Sequence, residues 1–255
     1  MIAFIETIRD KNAMLFYYGL IMLTGAIVTA ILSQTTTTQV MGVNAYIKPM
    51  KFYLSGFILA WTMGYIMQYL DNQKQVTIYN WVYVITISYE LLAITWQAAL
   101  GKQSHFNKDT TFDTAVFYMM GFMITVVTLW TAYIGYLFFV QKEFATSMIL
   151  IWSIRLGLIM TALFALEGGI MASLLRHSVG GADGGAGLPL VNWSKRHGDL
   201  RVAHFFGIHA LQILPLLSML LAKSVQHVFI IAIVFFLFVT YTLVQAFLGR
   251  PFLNF

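Results

Sequence analysis

The chain has 255 residues and a net charge of +5, with 59% hydrophobic residues but only 10% charged residues. A soluble domain carries about 25% charged residues, so this chain is too poor in charge to cover a surface that faces water. Its lysines and arginines lie in loops between apolar runs, which predicts contacts with the lipid bilayer and no binding to nucleic acid. The sequence contains no cysteine, which excludes disulfides and thiolate metal ligands.

Apolar runs of span length recur along the whole chain. A bilayer span needs about 20 mostly apolar residues, and seven windows of the chain qualify. They lie at roughly 13–33, 52–70, 77–99, 114–140, 146–175, 203–222 and 227–248. The sequence therefore predicts an all-α polytopic bundle of seven transmembrane helices, in which residues 1–255 form a single integral membrane domain.

The orientation follows from the basic residues of the loops, because Lys and Arg are enriched on the cytoplasmic side. With seven spans, the side that holds the C-terminus carries more of them than the side that holds the N-terminus. This predicts an N-terminus outside and a cytoplasmic C-terminus. The excess depends on the residues that flank one long loop, namely Arg176, Lys195, Arg196 and Arg201.

That long connection covers residues 176–202 and begins with a glycine-rich run around Asp183. A Leu-Pro-Leu segment and Trp193 follow the glycines. Long loops in compact proteins are usually functional or disordered. The apolar residues after the glycines favour an ordered lid that packs back onto the protein or the membrane interface.

The third span carries Glu90 near its middle. An ionisable side chain inside the bilayer is costly and by default indicates a function. Tyr83, Thr86 and Gln97 lie at −7, −4 and +7 from Glu90, which places all four on one helix face. We predict that Glu90 is catalytic. The alternative is a neutral carboxyl that only bonds a neighbouring helix.

The fifth span carries Arg155 and Glu167. They are separated by about 18 Å along a helix axis, so they cannot pair with each other. Gly168 and Gly169 follow Glu167 and permit the close approach of another backbone or a cofactor. We predict that Glu167 is a catalytic carboxylate or a metal ligand. Arg155 is explained equally well by snorkelling to the interface.

The sixth span is predicted to be one helix that starts near Leu200, after the N-cap Asp199. Its polar residues fall within one arc that must face protein, and they are Arg201, His204, His209 and Gln212. The two histidines are five residues apart, whereas chelating pairs on a helix are usually three or four apart. Either a bulge intervenes, or one histidine is an axial ligand while the other bonds a propionate or the substrate. We predict that both histidines bind a cofactor or metal, and that Arg201 and Gln212 are catalytic.

Residues outside these three spans are predicted to complete the site. Lys48 and Lys51 begin the second span, and two cations at a helix N-terminus become favourable when a propionate, a lipid phosphate or a substrate carboxylate binds there. We predict that Lys51 contacts the cofactor, although snorkelling to headgroups explains the lysines equally well. His177 would be a further metal ligand if loop 176–202 folds inward, and is otherwise structural. The remaining loop histidines, His105 and His227, are expected to be solvated.

Together these residues predict a membrane-embedded enzyme or redox protein of the oxidoreductase type, with its site between the second, third, fifth and sixth spans. It would hold heme or a transition metal (Fe, Cu or Zn) and act on a lipid-soluble substrate such as a quinone. A proton-coupled transporter or channel that uses the same Glu, His and Arg residues is the first alternative. An accessory subunit of a larger membrane complex, with the polar residues as contacts between subunits, is the second.

Overall fold

The structure is a computed structural model that describes residues 2–185 and 187–253. It is 73% helical, and these residues form nine α-helices, one short 3₁₀ helix and two pairs of very short strands. The predicted all-helical class is therefore confirmed. Contacts divide the chain into two compact units, Met1–Trp130 and Thr131–Phe255.

The first unit begins with the short helix α1 and continues into long helices. In chain order it contains α1 (Ile2–Lys11), α2 (Ala13–Thr35), the antiparallel pair β1 (Gln39–Val40) and β2 (Val43–Asn44), α3 (Ile47–Ile66), the 3₁₀ helix Met67–Tyr69, α4 (Gln73–Ala99) and the start of α5 (Thr111–Val140). Helix α5 continues into the second unit.

The second unit packs a broken helix against α6. In chain order it contains α6 (Met148–Leu174), β3 (Ser178–Val179), β4 (Gly198–Asp199), α7 (Arg201–Ile208), α8 (Ala210–Leu221) and α9 (Val225–Phe247). Strands β3 and β4 pair antiparallel and join the two ends of the long loop.

Several long apolar helices indicate a multi-pass membrane protein. Among the described residues, α2, α4, α5, α6 and α9 are each long and apolar enough to cross a membrane. Helices α7 and α8 pass the same test together as a pair bent by 56°, which makes up to six spans. Helix α3 covers most of the remaining predicted window but does not pass, because Lys48, Pro49 and Lys51 lower the hydropathy of its first turns.

Buried amide groups position α4 against the N-terminus of α2. Asn12 is the N-cap of α2, and its Oδ1 accepts a hydrogen bond from the backbone N–H of Leu15. The side chains of Asn12 and Asn80 also exchange two hydrogen bonds, at 2.9 and 3.2 Å. A reciprocal amide pair satisfies buried donors and acceptors on both helices, so it fixes their register inside an apolar environment.

Arg155 of α6 holds the C-terminal end of α5. Its Nε donates to the carbonyl oxygen of Phe138 at 2.8 Å, and a second guanidinium nitrogen donates to that of Gln141 at 3.3 Å. The guanidinium also lies over the ring of Trp152, 4.8 Å from its centroid. Because the last carbonyls of a helix have no partner within the helix, this buried arginine has a structural role.

Close approach of backbones brings α7 and α8 against α6. A Cβ atom at Gly207 would overlap the side chain of Phe164, and one at Gly157 would lie 2.9 Å from Leu211 Cα. The buried apolar residues of this contact come from α6, α7, α8 and α9, and they are Met160, Phe164, Ala203, Ala210, Leu214, Ala232, Phe235 and Val239. This packing sets the first turn of α7 beside the last turns of α6.

The long loop between α6 and α7 packs back onto the helices of the second unit, to which it belongs, as predicted. Trp193 is buried, with ring centroids 5.5 Å from Phe205 and 5.6 Å from Phe252. Asp183, within the glycine-rich run, accepts a hydrogen bond from the backbone N–H of Ser178 at 2.7 Å. The packing is therefore confirmed, whereas a role as a lid over a site stays a prediction.

Candidate functional site

His204 lies one turn into α7, and its ring rests on α6. Its Nδ1 donates a hydrogen bond to the carbonyl oxygen of Phe164 at 2.8 Å, and Oε2 of Glu167 lies 3.2 Å from the same nitrogen. A carbonyl oxygen can only accept, so Nδ1 must carry the hydrogen. In the neutral tautomer with this donor, Nε2 is the acceptor. The His204 side chain as a whole is 28% exposed.

The two residues that follow Glu167 differ in what they permit. A Cβ atom at Gly168 would lie 3.0 Å from His204 Cε1, whereas one at Gly169 would meet no atom within 4 Å. The imidazole therefore leaves little room for a side chain at the first position only. The sequence predicted the approach of another backbone or a cofactor at the Gly-Gly pair, whereas the group that lies against Gly168 is the His204 side chain.

Glu167 is buried against this imidazole, and its two oxygens differ. Oε2 faces His204, but Oε1 has no hydrogen-bond partner within residues 2–185 and 187–253. A buried oxygen without a donor is costly, and native structures contain few of them. In Glu167, Oε2 is therefore paired with His204, whereas Oε1 is an acceptor that no described group uses.

The sixth span is not the single regular helix that the sequence predicts. The helix is interrupted at His209, between α7 and α8, and the two helices differ in direction by 56°. Thr161 of α6 spans the break: its hydroxyl donates to the carbonyl of Ile208 and accepts from the N–H of Leu211, each at 3.2 Å. Backbone groups freed inside a membrane must find partners, and this hydroxyl supplies both.

The break separates the two histidines of this span. His209 is the N-cap of α8, and its Nδ1 lies 3.2 Å from Oε1 of Gln212. Its ring also contacts that of Phe205, with centroids 4.7 Å apart. The expectation of one polar arc on a straight helix is therefore wrong. Of the two alternatives for the histidine spacing, the bulge is replaced by a break between two helices, and separate roles for the two histidines stay a prediction. Gln212 contacts the imidazole of His209.

Arg201, predicted to be catalytic, is bonded to Asp199. Two of its nitrogens contact the Asp199 carboxylate, at 2.9 and 2.6 Å, and one donates to the carbonyl of Asn192 at 2.7 Å. Burial raises the pKa of Asp199, but the hydrogen bonds and charge of Arg201, with the N–H of Ser194 and the nearby His177, outweigh it and hold the pKa below its usual value. Arg201 and Asp199 thus tie the start of α7 to the long loop.

His177 is held by acidic residues of the loop. Its Nδ1 lies 3.4 Å from Asp183 Oδ1 and 3.8 Å from Asp199 Oδ1. Across the described ranges, no group of three or more His, Asp or Glu side chains is arranged to hold a metal ion. The four predicted metal ligands, His177, His204, His209 and Glu167, thus do not form such a group among the described residues.

The first unit contains the predicted polar face of α4. Tyr83, Thr86, Glu90 and Gln97 are all buried, which confirms that the four side chains share the inward face. Tyr83 donates a hydrogen bond to the carbonyl of Gly56 at 2.7 Å. Glu90 Oε1 has no partner in the part of the chain that the structure describes. This carboxylate is therefore buried in a span without a hydrogen bond to that oxygen.

The N-terminus of α3 faces the loop that follows α4. Lys48 Nζ lies 3.1 Å from His105 Nδ1, and Ser104 Oγ lies 3.1 Å from the same nitrogen. The expectation that His105 is solvated is wrong, because it is partly buried in this cluster, whereas His227 is exposed as expected. Lys51, the predicted cofactor contact, is partly buried in the next turn of α3.

Comparison with protein-family models, curated proteins and solved structures found no match to the chain.

Two contributors to the site gave no sequence signal. Thr161 is a single threonine within an apolar run, and its partners Ile208 and Leu211 lie about fifty residues later in the chain. The helix break at which they lie gives no signal in the hydrophobic periodicity. The carbonyl of Phe164 is a backbone group and carries no sequence signal. The pair of Lys48 and His105 was not predictable either, because a lysine at a helix N-terminus suggests an anionic partner and not an imidazole.

Proposed function

We propose that this chain is an integral membrane protein of the oxidoreductase type, which binds heme or a transition metal through His204 and acts on a lipid-soluble molecule such as a quinone. The proposal includes seven spans: the up to six that pass the hydropathy test, and α3 as the seventh. Helix α3 has 20 residues, and a helix of that length is about 30 Å long, close to the thickness of the hydrocarbon core. The N-terminus is proposed to lie outside and the C-terminus in the cytoplasm.

The single observation that carries the cofactor proposal is the fixed tautomer of His204. Histidines that bind metals almost always donate their other ring N–H to a carboxylate or a backbone carbonyl, which orients the ring and raises the basicity of the ligating nitrogen. Nδ1 of His204 has both partners, Phe164 O at 2.8 Å and Glu167 Oε2 at 3.2 Å. Nε2 is then the nitrogen that would bind iron or another metal.

Heme is the cofactor that this arrangement supports best. Heme iron is often held by a single axial imidazole from the protein, and His204 offers one. Glu167 would orient and polarise the imidazole, while His209 of the same unit remains a proposed contact of propionates or substrate. Nonheme Fe, Cu or Zn at His204 would require additional ligands, which the substrate or water would have to supply.

The test compares two histidine variants with the wild-type protein after purification from the membrane. His204→Ala removes the proposed ligand, whereas His227→Ala removes an exposed histidine at the start of α9. We expect bound heme or metal to be lost in the first variant and retained in the second. Equal retention in both folded variants would contradict ligation by His204.

Proton-coupled transport is the second candidate, and a different observation favours it. Glu90 and Glu167 each bury one carboxylate oxygen that has no partner among the described residues. Buried carboxylates in spans commonly mark proton pathways. In liposomes, a transporter of this kind would acidify or alkalinise the lumen in response to its substrate, and Glu167→Gln would abolish that response without any dependence on a bound cofactor.

A further inference from the structure

One face of α4 presents two buried oxygens that lack a hydrogen-bond donor. Glu90 is 5% exposed and Gln97 is 1% exposed, and neither Oε1 atom has a partner in residues 2–185 or 187–253. The two residues are seven apart, so they lie on the same face, about 10 Å from each other along the axis. Buried polar atoms that protein groups leave unpaired are typically bonded to ordered water.

A hydrogen-bonded chain leads from this face to the end of the span. Gln97 Nε2 donates to Asp113 Oδ1 at 3.0 Å, and Lys102 Nζ donates to Asp113 Oδ2 at 2.9 Å. The Asp113 side chain is only 2% exposed, but that of Lys102 is 38% exposed. Thr110 also donates to Asp113 Oδ2, at 2.8 Å. Gln97 thus connects this face of α4 to a polar opening formed by the 100–113 segment.

The charged and titratable groups around Glu90 come from three helices. Helix α3 contributes Lys48, whose charge acts on Glu90. Helix α2 contributes Tyr18, whose hydroxyl is bonded to Ser88, two residues before Glu90 and therefore on the other side of α4. Helix α4 itself contributes Tyr83 and Tyr89. Lys48 is the cation that would compensate the ionised carboxylate, while the phenols remain neutral at ordinary pH.

We propose that Glu90 is a proton-binding site inside the bilayer, loaded through water held by the Glu90 and Gln97 oxygens from the opening at Asp113 and Lys102. A hydronium ion at the opening gives up its proton and becomes water; the proton passes along this line and forms an O–H bond on Glu90, which becomes a neutral acid. Release reverses the same step, and no other bond changes. This site lies in the first unit and does not depend on cofactor binding by His204.

Infrared difference spectroscopy of the reconstituted full chain between two pH values tests the proposal. The carbonyl stretch of a buried carboxylic acid should appear as the pH falls and shift in heavy water. Glu90→Gln should remove this band, and Glu90→Asp should move it, which assigns the band if the glutamine variant does not fold. A band unchanged in both variants, or its absence from the wild type, would overturn proton binding at Glu90.

The route is tested by the rate at which that band exchanges its proton for deuterium. Gln97→Leu removes the polar link and should slow the exchange strongly. Thr95→Val is the matched control, because Thr95 also has a hydroxyl without a partner in the described chain but lies about 140° around the helix from Glu90. Equal exchange rates in these two variants would overturn the proposed route. Proton binding at Glu90 itself is decided by the infrared band described above.

Discussion

His204 Nδ1 and the carbonyl oxygen of Phe164 are joined by a 2.8 Å hydrogen bond that links α7 to α6. The bond fixes which ring nitrogen carries the hydrogen, and it leaves Nε2 to accept a ligand. Glu167, three residues after Phe164, faces the same nitrogen at 3.2 Å. One helix turn of α6 therefore supplies both groups that orient the imidazole.

Gly168→Ala should displace the His204 imidazole. The new methyl would lie 3.0 Å from Cε1, so the ring or the helix must shift. We expect cofactor affinity to fall by about 10- to 100-fold, the range seen when partners that orient a metal-bound histidine are changed. Titration of the stripped protein with hemin or metal measures the effect.

Gly169→Ala is the matched control for that substitution, because its methyl would meet no atom within 4 Å. It adds the same methyl to the same helix and gains slightly in helix propensity. An equal loss of cofactor affinity in the two variants would show that any added methyl on this turn of α6 lowers the affinity. It would contradict an effect of Gly168 through its contact with the His204 ring.

Thr161→Val should destabilise the break between α7 and α8. It leaves the carbonyl of Ile208 and the N–H of Leu211 without the hydroxyl that bonds both. The expected cost is about 1–3 kcal/mol, the penalty for buried groups that lose their partner. Thermal unfolding in detergent should show a lower midpoint for valine and a value near wild type for Thr161→Ser. Identical midpoints for valine and serine would contradict this role of the hydroxyl.

Asp199→Asn should loosen the loop between α6 and α7. Losing the charge-assisted bonds to Arg201 should cost about 2 kcal/mol. The loop should then open more often, so trypsin should cleave faster after Lys195 and Arg196, which are already exposed. The pKa of Asp199 is lower in the folded chain, so its contribution is complete above the unfolded pKa of about 3.9. It is lost as the pH falls through the lower folded value.

The difference in unfolding midpoint between wild type and Asp199→Asn should therefore be largest near neutral pH and should narrow in strong acid. A difference that stays constant over the acid range would mean that the Asp199 charge does not hold the loop.

The proposed span α3 can be tested by single-cysteine labelling, since the chain contains no native cysteine. Thr37→Cys and Lys74→Cys place exposed thiols before and after α3. If α3 crosses the bilayer, a maleimide that cannot cross membranes should label the two variants from opposite sides. Labelling of both from the same side would reduce the span count and reverse the sides of all later loops. The same experiment measures the proposed orientation.

The helical class and the buried face of α4 were predictable because each depends on local properties of the chain. Hydropathy identified the apolar runs, and helical periodicity placed Glu90 and Gln97 on one face. These two inferences require only the rise and turn of a helix. They do not depend on which helices pack against α4.

The geometry of the sixth span was not predictable in the same way. A straight helix was expected through His209, but the break there is stabilised by Thr161, which is distant in sequence. The partner of His204 is the Phe164 backbone, and that of Arg201 is Asp199, predicted only as an N-cap. Such contacts depend on which helices pack together, and one sequence does not contain that information.

The most direct test of the central proposal is the optical spectrum of the purified wild-type protein, recorded together with its elemental analysis. Cofactor binding through His204 predicts a Soret band with iron near one equivalent per chain, or one equivalent of Fe, Cu or Zn without that band. A protein shown to be folded that has neither a heme spectrum nor a stoichiometric metal would contradict the proposal.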